Sequence, residues 1–351
     1  MRPRKFRISR YLSPDFGVDL GTSHTVISVP GEGIVLDEPT VVAVRRGTRE
    51  VLGRGDTVGQ LASVMHGRTP DSVQTIRPVR RGVVADTELC HSILKSLLHK
   101  ARPRAWGLKP RLLVAMPGDL TPVERQALVA TAVRAGAGQV FLIAKSQAAA
   151  LGASLPLGQP VASMICDIGA GTAEFAVLCL GEVAVSETLR VAGDDMTRAV
   201  INFLRRRHKL HVGDQMAERI KIEIGTAVSV EENPSLEVSG RDATTGMPRK
   251  MLVDAEQMHE ALYDPVRMLV EAVERILDRC PAELSADLME SGLVLAGGGA
   301  QLHGLDTRLT DATGMPVRRV EEPTTCVARG LAVCLENLGI WQGLIQGRAA
   351  A

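Results

Sequence analysis

The sequence predicts an α/β fold made of two duplicated domains, each carrying an inserted smaller subdomain. Three observations support this prediction. Strand-like and helix-like segments alternate along most of the chain. An Asp-aliphatic-Gly turn with a nearby Thr occurs twice after an apolar run, as "DLGTSHT" from residue 19 and "DIGAGTAE" from residue 167. The chain has 351 residues, which exceeds the size that a single core usually reaches.

The first half is assigned to a domain over residues 15–150. "DFGVDLGTSHTVISV" is typical of two strands joined by a turn, and an insertion follows at about residues 33–77. The "RLLVAMPG" strand leads into a helix that Thr121 caps, with Pro122 at its first position and Gly136 at its end. "QVFLI" then predicts a strand and "SQAAALGASL" a helix.

The second half, residues 151–338, repeats this plan with an insertion at about residues 188–250. Three strands with turns at Gly169–Thr172 and Gly181 open it. The later elements are predicted as helices at 194–208, 213–227 and 254–280, the last interrupted by Pro265, a strand in "SGLVLAGGG", and helices from about Gln301 and from Pro323. Residues 339–351 are predicted to be a tail.

Composition excludes several classes of protein. The chain has 41 basic and 40 acidic residues, so its net charge does not indicate a nucleic-acid partner. The six cysteines are scattered without a CxxC pair, which favours buried reduced thiols over a zinc site. No run approaches the roughly 20 apolar residues of a membrane span, and the basic N-terminus lacks a signal core, so we expect a protein that is neither secreted nor transmembrane.

The two turns are suited to binding phosphate. Glycine lets backbone N–H groups approach phosphate oxygens, and threonine hydroxyls add donors. A carboxylate beside phosphate needs a cation between them, so Asp19 and Asp167 are expected to support Mg²⁺ through water. One such turn is equally well explained as hairpin geometry, whereas two in matched halves favour a phosphate ligand in a cleft between the domains.

Two further segments are candidates for contacts with a nucleoside. "LAGGGAQLHG" follows a strand, where glycines allow close approach to a base or ribose, although tight packing of helix against strand explains them too. "AERIKIEIG" places Glu218 and Lys221 on one helix face, where they can clasp a ribose or simply form a surface ion pair.

These motifs together resemble those of the actin, hexokinase and Hsp70 superfamily, and most closely the MreB family of bacterial actins. The resemblance covers nearly the whole chain and includes "GIVLDEPTVVAV", "GRTPDSVQTIRPVRRGVVAD", "VERQALVATAVRAGAGQVFLI", "CPAELSADLMESGLVLAGGGAQL" and "EEPTTCVARGLAV" in the family's order. It implies an actin-like fold of four subdomains, ATP and Mg²⁺ as cofactors, and self-assembly into filaments. It also implies a cytoplasmic location on the inner face of the membrane, where such filaments organise the cell-wall elongation machinery.

The resemblance also implies the nucleotide-binding residues. They are Asp19, Gly21, Thr22, Ser23 and His24 on the first turn, Asp167, Gly169, Ala170, Gly171 and Thr172 on the second, Glu218, Arg219, Ile220 and Lys221 on the ribose helix, and Gly297, Gly298, Gly299 and Ala300 on the adenine loop.

One segment departs from the family. MreB proteins usually have two glutamates and a proline where this chain has Ala144, Lys145 and Ser146. A lysine ammonium has no lone pair with which to orient the attacking water, so hydrolysis is expected to be slow or absent, with Lys145 holding the γ-phosphate instead. Alternatively, Lys145 turns to solvent and Glu174 organises the water. Whether the chain is an ATPase therefore stays open.

The membrane prediction rests on two basic segments. Residues 1–14 carry Phe6, Ile8, Tyr11 and Leu12 among basic residues, which is typical of an amphipathic membrane-binding segment or of a frayed basic tail. Trp106 and Leu108 in "KARPRAWGLKPR" resemble a loop that dips into lipid in relatives, although a buried Trp is the other interpretation.

The sequence leaves three functions open. A shape-determining, membrane-associated filament is favoured. A non-hydrolysing paralogue that regulates or co-assembles with another filament is the alternative. A sugar kinase is disfavoured because the chain is short and resembles MreB throughout.

Overall fold

A computed structural model describes residues 15–101 and 109–350, and it divides into two compact units. The first contains the described residues up to Gln159, Leu180–Val183, and the chain from Thr324 onward. The second contains Pro160–Cys179 and Ala184–Pro323. The last long helix therefore belongs to the first unit, whereas the repeat pattern assigned it to the second domain.

The described chain contains eighteen strands. In chain order these are β1 (Asp15–Leu20), β2 (His24–Val29), β3 (Gly33–Pro39), β4 (Val42–Arg45), β5 (Val73–Ile76), β6 (Val79–Arg80), β7 (Val83–Val84), β8 (Arg111–Met116), β9 (Gln139–Ala144), β10 (Ser163–Ile168), β11 (Ala173–Cys179), β12 (Glu182–Leu189), β13 (Leu210–His211), β14 (Ser235–Asp242), β15 (Pro248–Asp254), β16 (Leu293–Ala296), β17 (Val317–Arg319) and β18 (Ile345–Ala350).

The same residues form eleven α-helices. They are α1 (Gln60–Met65), α2 (Thr87–Ala101), α3 (Pro122–Arg134), α4 (Lys145–Gly152), α5 (Gly193–His208), α6 (Asp214–Ile224), α7 (Ala255–Arg279), α8 (Ala282–Ser291), α9 (Leu305–Thr313), α10 (Cys326–Glu336) and α11 (Leu338–Trp341). Short 3₁₀ turns at Gly298–Gln301 and Pro323–Thr325 occupy the positions where the sequence predicted that two helices begin.

The two main sheets confirm the duplication. The first has the order β18-β9-β8-β1-β2-β3 and the second the order β12-β11-β10-β16-β17. In each, the central strand pairs antiparallel with the next strand of the chain and parallel with a later one. Asp19 lies opposite Val26 in the first hairpin, and Asp167 lies opposite Glu174 in the second. The two hairpins therefore have matching registers.

Each unit also contains an inserted small sheet. In the first, β4 pairs antiparallel with β5, and Val41, Ala43 and Ala62 form a small core of their own. In the second, β13, β14 and β15 form an antiparallel sheet. Both lie within the predicted insertions or at their edge.

Local signals set the helix boundaries. The Thr121 hydroxyl accepts from the backbone N–H of Glu124, so Thr121 caps α3 as predicted, and the Glu124 carboxylate accepts from the backbone N–H of Thr121, which completes a capping box. Asp254 caps α7 by accepting from Gln257 N–H. Pro265 does not interrupt α7, contrary to the sequence prediction; the buried neighbours Leu262 and Val266 hold the helix against the core across the missing hydrogen bond.

Close packing of α4 against α10 explains why the last long helix belongs to the first unit. A Cβ on Gly330 would collide with the carbonyl oxygen of Ala148, and one on Gly152 would collide with that of Cys326. The Cys326 thiol donates to the Ala149 carbonyl at 3.2 Å. Only glycines allow this approach, so the position of α4 depends on them.

The predicted tail is partly structured. Residues Ile345–Ala350 form β18, which pairs antiparallel with β9 at the edge of the first sheet. None of the described helices is long and apolar enough to cross a membrane. The six cysteines are free, and Cys90, Cys166, Cys326 and Cys334 are buried.

Candidate functional site

The two predicted phosphate turns have the same backbone geometry. Gly21 N–H donates to the carbonyl of His24 at 3.0 Å, and Gly169 N–H donates to the carbonyl of Thr172 at 2.9 Å. Gly21 has no room for a side chain, because a Cβ would lie 2.6 Å from the His24 carbonyl oxygen. Each turn follows a strand whose residues are all buried. The sequence repeat is therefore also a structural repeat.

The first turn is held by neighbouring backbone. The Thr22 hydroxyl accepts from Gly82 N–H at 3.1 Å, which leaves its own hydrogen to donate. Ser23 and the exposed His24 contact each other through Oγ and Nδ1 at 3.1 Å. Behind the turn, Thr25 and Thr40 are joined by a buried hydroxyl contact of 2.9 Å. Hydrogen bonds thus hold the base of the turn, while the His24 side chain is exposed.

Lys145 lies beside Asp19. The Lys145 Nζ is 3.8 Å from Asp19 Oδ1, and both side chains are mostly buried, with 13% and 12% exposed. Lys145 is the first residue of α4, directly after β9. It does not turn to solvent, as one interpretation of the sequence held; its ammonium faces the carboxylate that was predicted to support a metal.

The second turn meets the start of α5. Gly193 N–H donates to the Gly169 carbonyl at 3.1 Å, and Asp194 N–H donates to the Ala170 carbonyl at 2.8 Å. A Cβ on Gly193 would lie 3.2 Å from the Gly169 carbonyl oxygen, so glycine is needed for this approach. The sequence prediction missed Gly193, although a glycine directly before "DDMT" at a helix start was a readable signal.

Glu218 and Lys221 of α6 join the same cluster. The Lys221 ammonium donates to Glu218 Oε2 at 2.8 Å, to the Gly193 carbonyl at 3.1 Å and to Thr197 Oγ1 at 3.1 Å. The Thr197 hydroxyl also donates to Glu218. These hydrogen bonds connect α6 to α5. Glu218 and Lys221 are therefore part of a larger network and not the isolated surface ion pair that was the other interpretation of the sequence. Nothing in the sequence spacing identified Thr197.

The third glycine cluster lies against the second turn. Gly297 has a φ of 80°, and a Cβ there would lie 2.7 Å from Asp167 Oδ1 and would collide with the Ile168 carbonyl. Asp167 itself is only 2% exposed. Burial, and secondarily the Asp167 charge, raises the pKa of the neighbouring Cys166 thiol well above its usual range. Tight packing thus accounts for Gly297 whether or not a ligand binds.

Two residues of the predicted ribose helix have other contacts. Ile220 is fully buried in the core of the second unit, so its side chain is structural. Arg219 is half exposed and pairs with Glu223 at 2.6 Å, one turn along the helix. Helical spacing explains both, since Glu218 and Lys221 share a face that the residues between them do not. Two predicted residues outside this helix are also buried. They are Ala300 of the predicted adenine loop and Glu174, which lies opposite Asp167 and is 3% exposed.

Some predictions fall outside the described residues. Phe6, Ile8, Tyr11, Leu12, Trp106 and Leu108, the predicted membrane contacts, lie there. Within residues 15–101 and 109–350, no group of three or more His, Cys, Asp and Glu side chains is arranged to hold a metal ion. A cation held through water at single carboxylates needs no such group.

Comparison with known proteins identifies the family. The MreB/Mbl protein family model matches residues 13–342. The chain is 41% identical to the cell shape-determining protein Mbl of Bacillus cereus, over 92% of this chain and 96% of that protein. It is 42% identical to the cell shape-determining protein MreB of Escherichia coli K12, over 97% of this chain and 98% of that one.

A solved structure shows the same fold. The crystal structure of MreB5 of Spiroplasma citri bound to ADP has a TM-score of 0.88 and 28% identity, covering 95% of this chain and 98% of that one. The same protein bound to AMPPNP has a TM-score of 0.86. The fold is therefore actin-like, and the chain belongs to the MreB/Mbl family.

Proposed function

We propose that this chain is a cell shape-determining protein that binds ATP and polymerises into filaments on the inner face of the cell membrane. In this proposal the filaments organise cell-wall elongation. The observation that carries it is the matched pair of turns, in which Gly21 and Gly169 make the same hydrogen bond in the same register. Two copies of a phosphate-type turn are unnecessary for folding, since a hairpin closes with many turn sequences.

The chemistry of the turns fits a polyphosphate. The Thr22 hydroxyl, the exposed Ser23–His24 corner and the glycines of the second turn offer donors of the kind that hold phosphate oxygens. The Glu218 carboxylate lies in a network with Lys221 and is suited to accept hydrogen bonds from a ribose. Nucleotide-bound MreB5 structures are consistent with an adenine nucleotide as the ligand.

Magnesium is the second cofactor of the proposal. Asp167 fits a cation held through water, because its buried carboxylate lies next to the second turn and to Gly297. At Asp19 the Lys145 ammonium, 3.8 Å away, already supplies a positive charge. When bound, magnesium would neutralise phosphate charge near Asp167.

Polymerisation and membrane binding are assigned to surfaces outside the phosphate turns. Leu61 and Val64 lie one turn apart on α1 and are 61% and 60% exposed, which suits a contact between copies. The basic segment at residues 1–14, with Trp106 and Leu108, is proposed to bind anionic lipid. A polymer repeats such weak contacts, so its avidity exceeds that of one copy.

The alternative is a pseudo-ATPase paralogue that regulates or co-assembles with another filament. Lys145 favours this alternative, because a lysine replaces the acid that orients water in the family. Its ammonium lies 3.8 Å from the Asp19 carboxylate.

Three assays on the purified protein test the proposal: ATP binding, phosphate release and pelleting with anionic liposomes. We expect binding and pelleting with little phosphate release. Pelleting that requires another family member would support the paralogue. Absence of ATP binding by folded protein would refute both.

A further inference from the structure

The surroundings of Lys145 are unusual for a lysine. The residue opens α4, where the partial positive charge of the helix N-terminus disfavours a cation. Its side chain is 13% exposed, so the ammonium has lost most of its hydration. A lysine in this position needs a nearby anion, and the Asp19 carboxylate, also mostly buried, lies beside it.

The Lys145 ammonium lies close enough to the Asp19 carboxylate for their charges to interact. At 3.8 Å, Nζ and Oδ1 are close enough to neutralise each other's charge but farther apart than in a direct hydrogen bond. Lysine carries three donors on one compact charge, so the ammonium can interact with Asp19 and still donate to a second anion. A phosphate oxygen at the first turn, which begins two residues after Asp19, is such an anion.

A carboxylate next to a phosphate normally requires a divalent cation to relieve the repulsion between them. We propose that the Lys145 ammonium performs this task at Asp19, so that the chain binds adenine nucleotide with little dependence on magnesium. The inference rests on the proposed function and concerns the same turn. Removal of magnesium then weakens nucleotide binding only slightly.

The test measures the affinity of N-methylanthraniloyl-ATP for the full chain by fluorescence titration, in excess Mg²⁺ and again in excess EDTA. For the unaltered protein we expect the two dissociation constants to agree within about threefold. In Lys145→Glu the charge at this position is reversed and Asp19 gains a second carboxylate. We expect EDTA to weaken its binding by about tenfold or more.

Lys95→Glu is the matched control, because Lys95 is an exposed lysine of α2 in the same unit and undergoes the same reversal of charge. The ratio of its dissociation constants in EDTA and in Mg²⁺ should equal that of the unaltered protein. Lys145→Met keeps much of the side-chain volume without the charge. Its ratio should lie between that of the unaltered protein and that of Lys145→Glu. Circular dichroism establishes that each variant is folded.

Two results would overturn the inference, and they differ in what they imply. If EDTA weakens binding to the unaltered protein tenfold or more, Lys145 does not replace the cation, while the proposed function stands. If the folded, unaltered protein binds the analogue in neither buffer, the proposed function fails and the inference fails with it.

Discussion

Lys145 is the residue on which the expected chemistry of the first turn depends. The ammonium lies against Asp19 and is largely buried. A group that donates hydrogen bonds but accepts none can hold a phosphate, yet it cannot orient a water for attack. We therefore expect this position to favour nucleotide binding over hydrolysis.

Replacing Lys145 with glutamate should increase ATP hydrolysis. The carboxylate supplies an acceptor for the attacking water, and we expect the rate of phosphate release to rise by about tenfold or more, which is less than the roughly 100-fold at the lower end of what a positioned acid or base contributes. Malachite-green detection of phosphate measures it, with Lys95→Glu as the control. An unchanged rate in Lys145→Glu would show that Lys145 does not limit hydrolysis.

How much of the site the sequence predicted depends on the physical origin of each part. The turns were predictable because glycine and threonine act locally, and the capping box of Thr121 was predictable for the same reason. Gly193 and Thr197 were missed because their role comes from the packing of α5 against the second turn and α6. Arg219 and Ile220 were included by proximity in sequence, and helical geometry separates them from their neighbours.

At the scale of elements, α4 connects the site to the rest of the first unit. It carries Lys145 at its start and is almost entirely buried, with Gly152 at its end packed on α10. The sequence pattern could not reveal this contact, because residues far apart in the chain form it. The helix pair therefore fixes where the ammonium lies.

Gly330→Ala should destabilise the protein. The new methyl group would collide with the Ala148 carbonyl, and separating the helices to admit it costs about 1–3 kcal/mol. Differential scanning fluorimetry should show a lower Tm. Gly339→Ala in α11 is the control, because nothing lies within 4 Å of a Cβ there, and its Tm should not fall. Equal Tm values for the two variants would argue against close packing of α4 on α10.

At the scale of the whole molecule, the duplication organises the chain. Five strands of the first sheet follow the same order as the five strands of the second, and each turn makes an equivalent backbone hydrogen bond. This much was predictable from the repeated motif and the alternation of strands and helices. The membership of α10 and β18 in the first unit was not, because it depends on their contacts with α4 and β9, which lie far away in the sequence.

Self-assembly should depend on the exposed apolar face of α1. Val64→Asp places a charge on that face and should reduce the fraction that sediments with ATP at high speed by about tenfold, because a charge buried without a partner in a contact is costly. Val123→Asp is the matched control: Val123 is 76% exposed near the start of α3, where an acid is tolerated. If both variants sediment like the unaltered protein, α1 is not part of the contact.

The central claim is that the phosphate-type turns of this chain bind adenine nucleotide. Amide hydrogen exchange, read by mass spectrometry with and without ATP, tests it most directly. We expect ATP to slow exchange in peptides that contain residues 19–25 and equally in peptides that contain residues 167–174. Protection of only one turn, or of neither at saturating ATP, would contradict the claim.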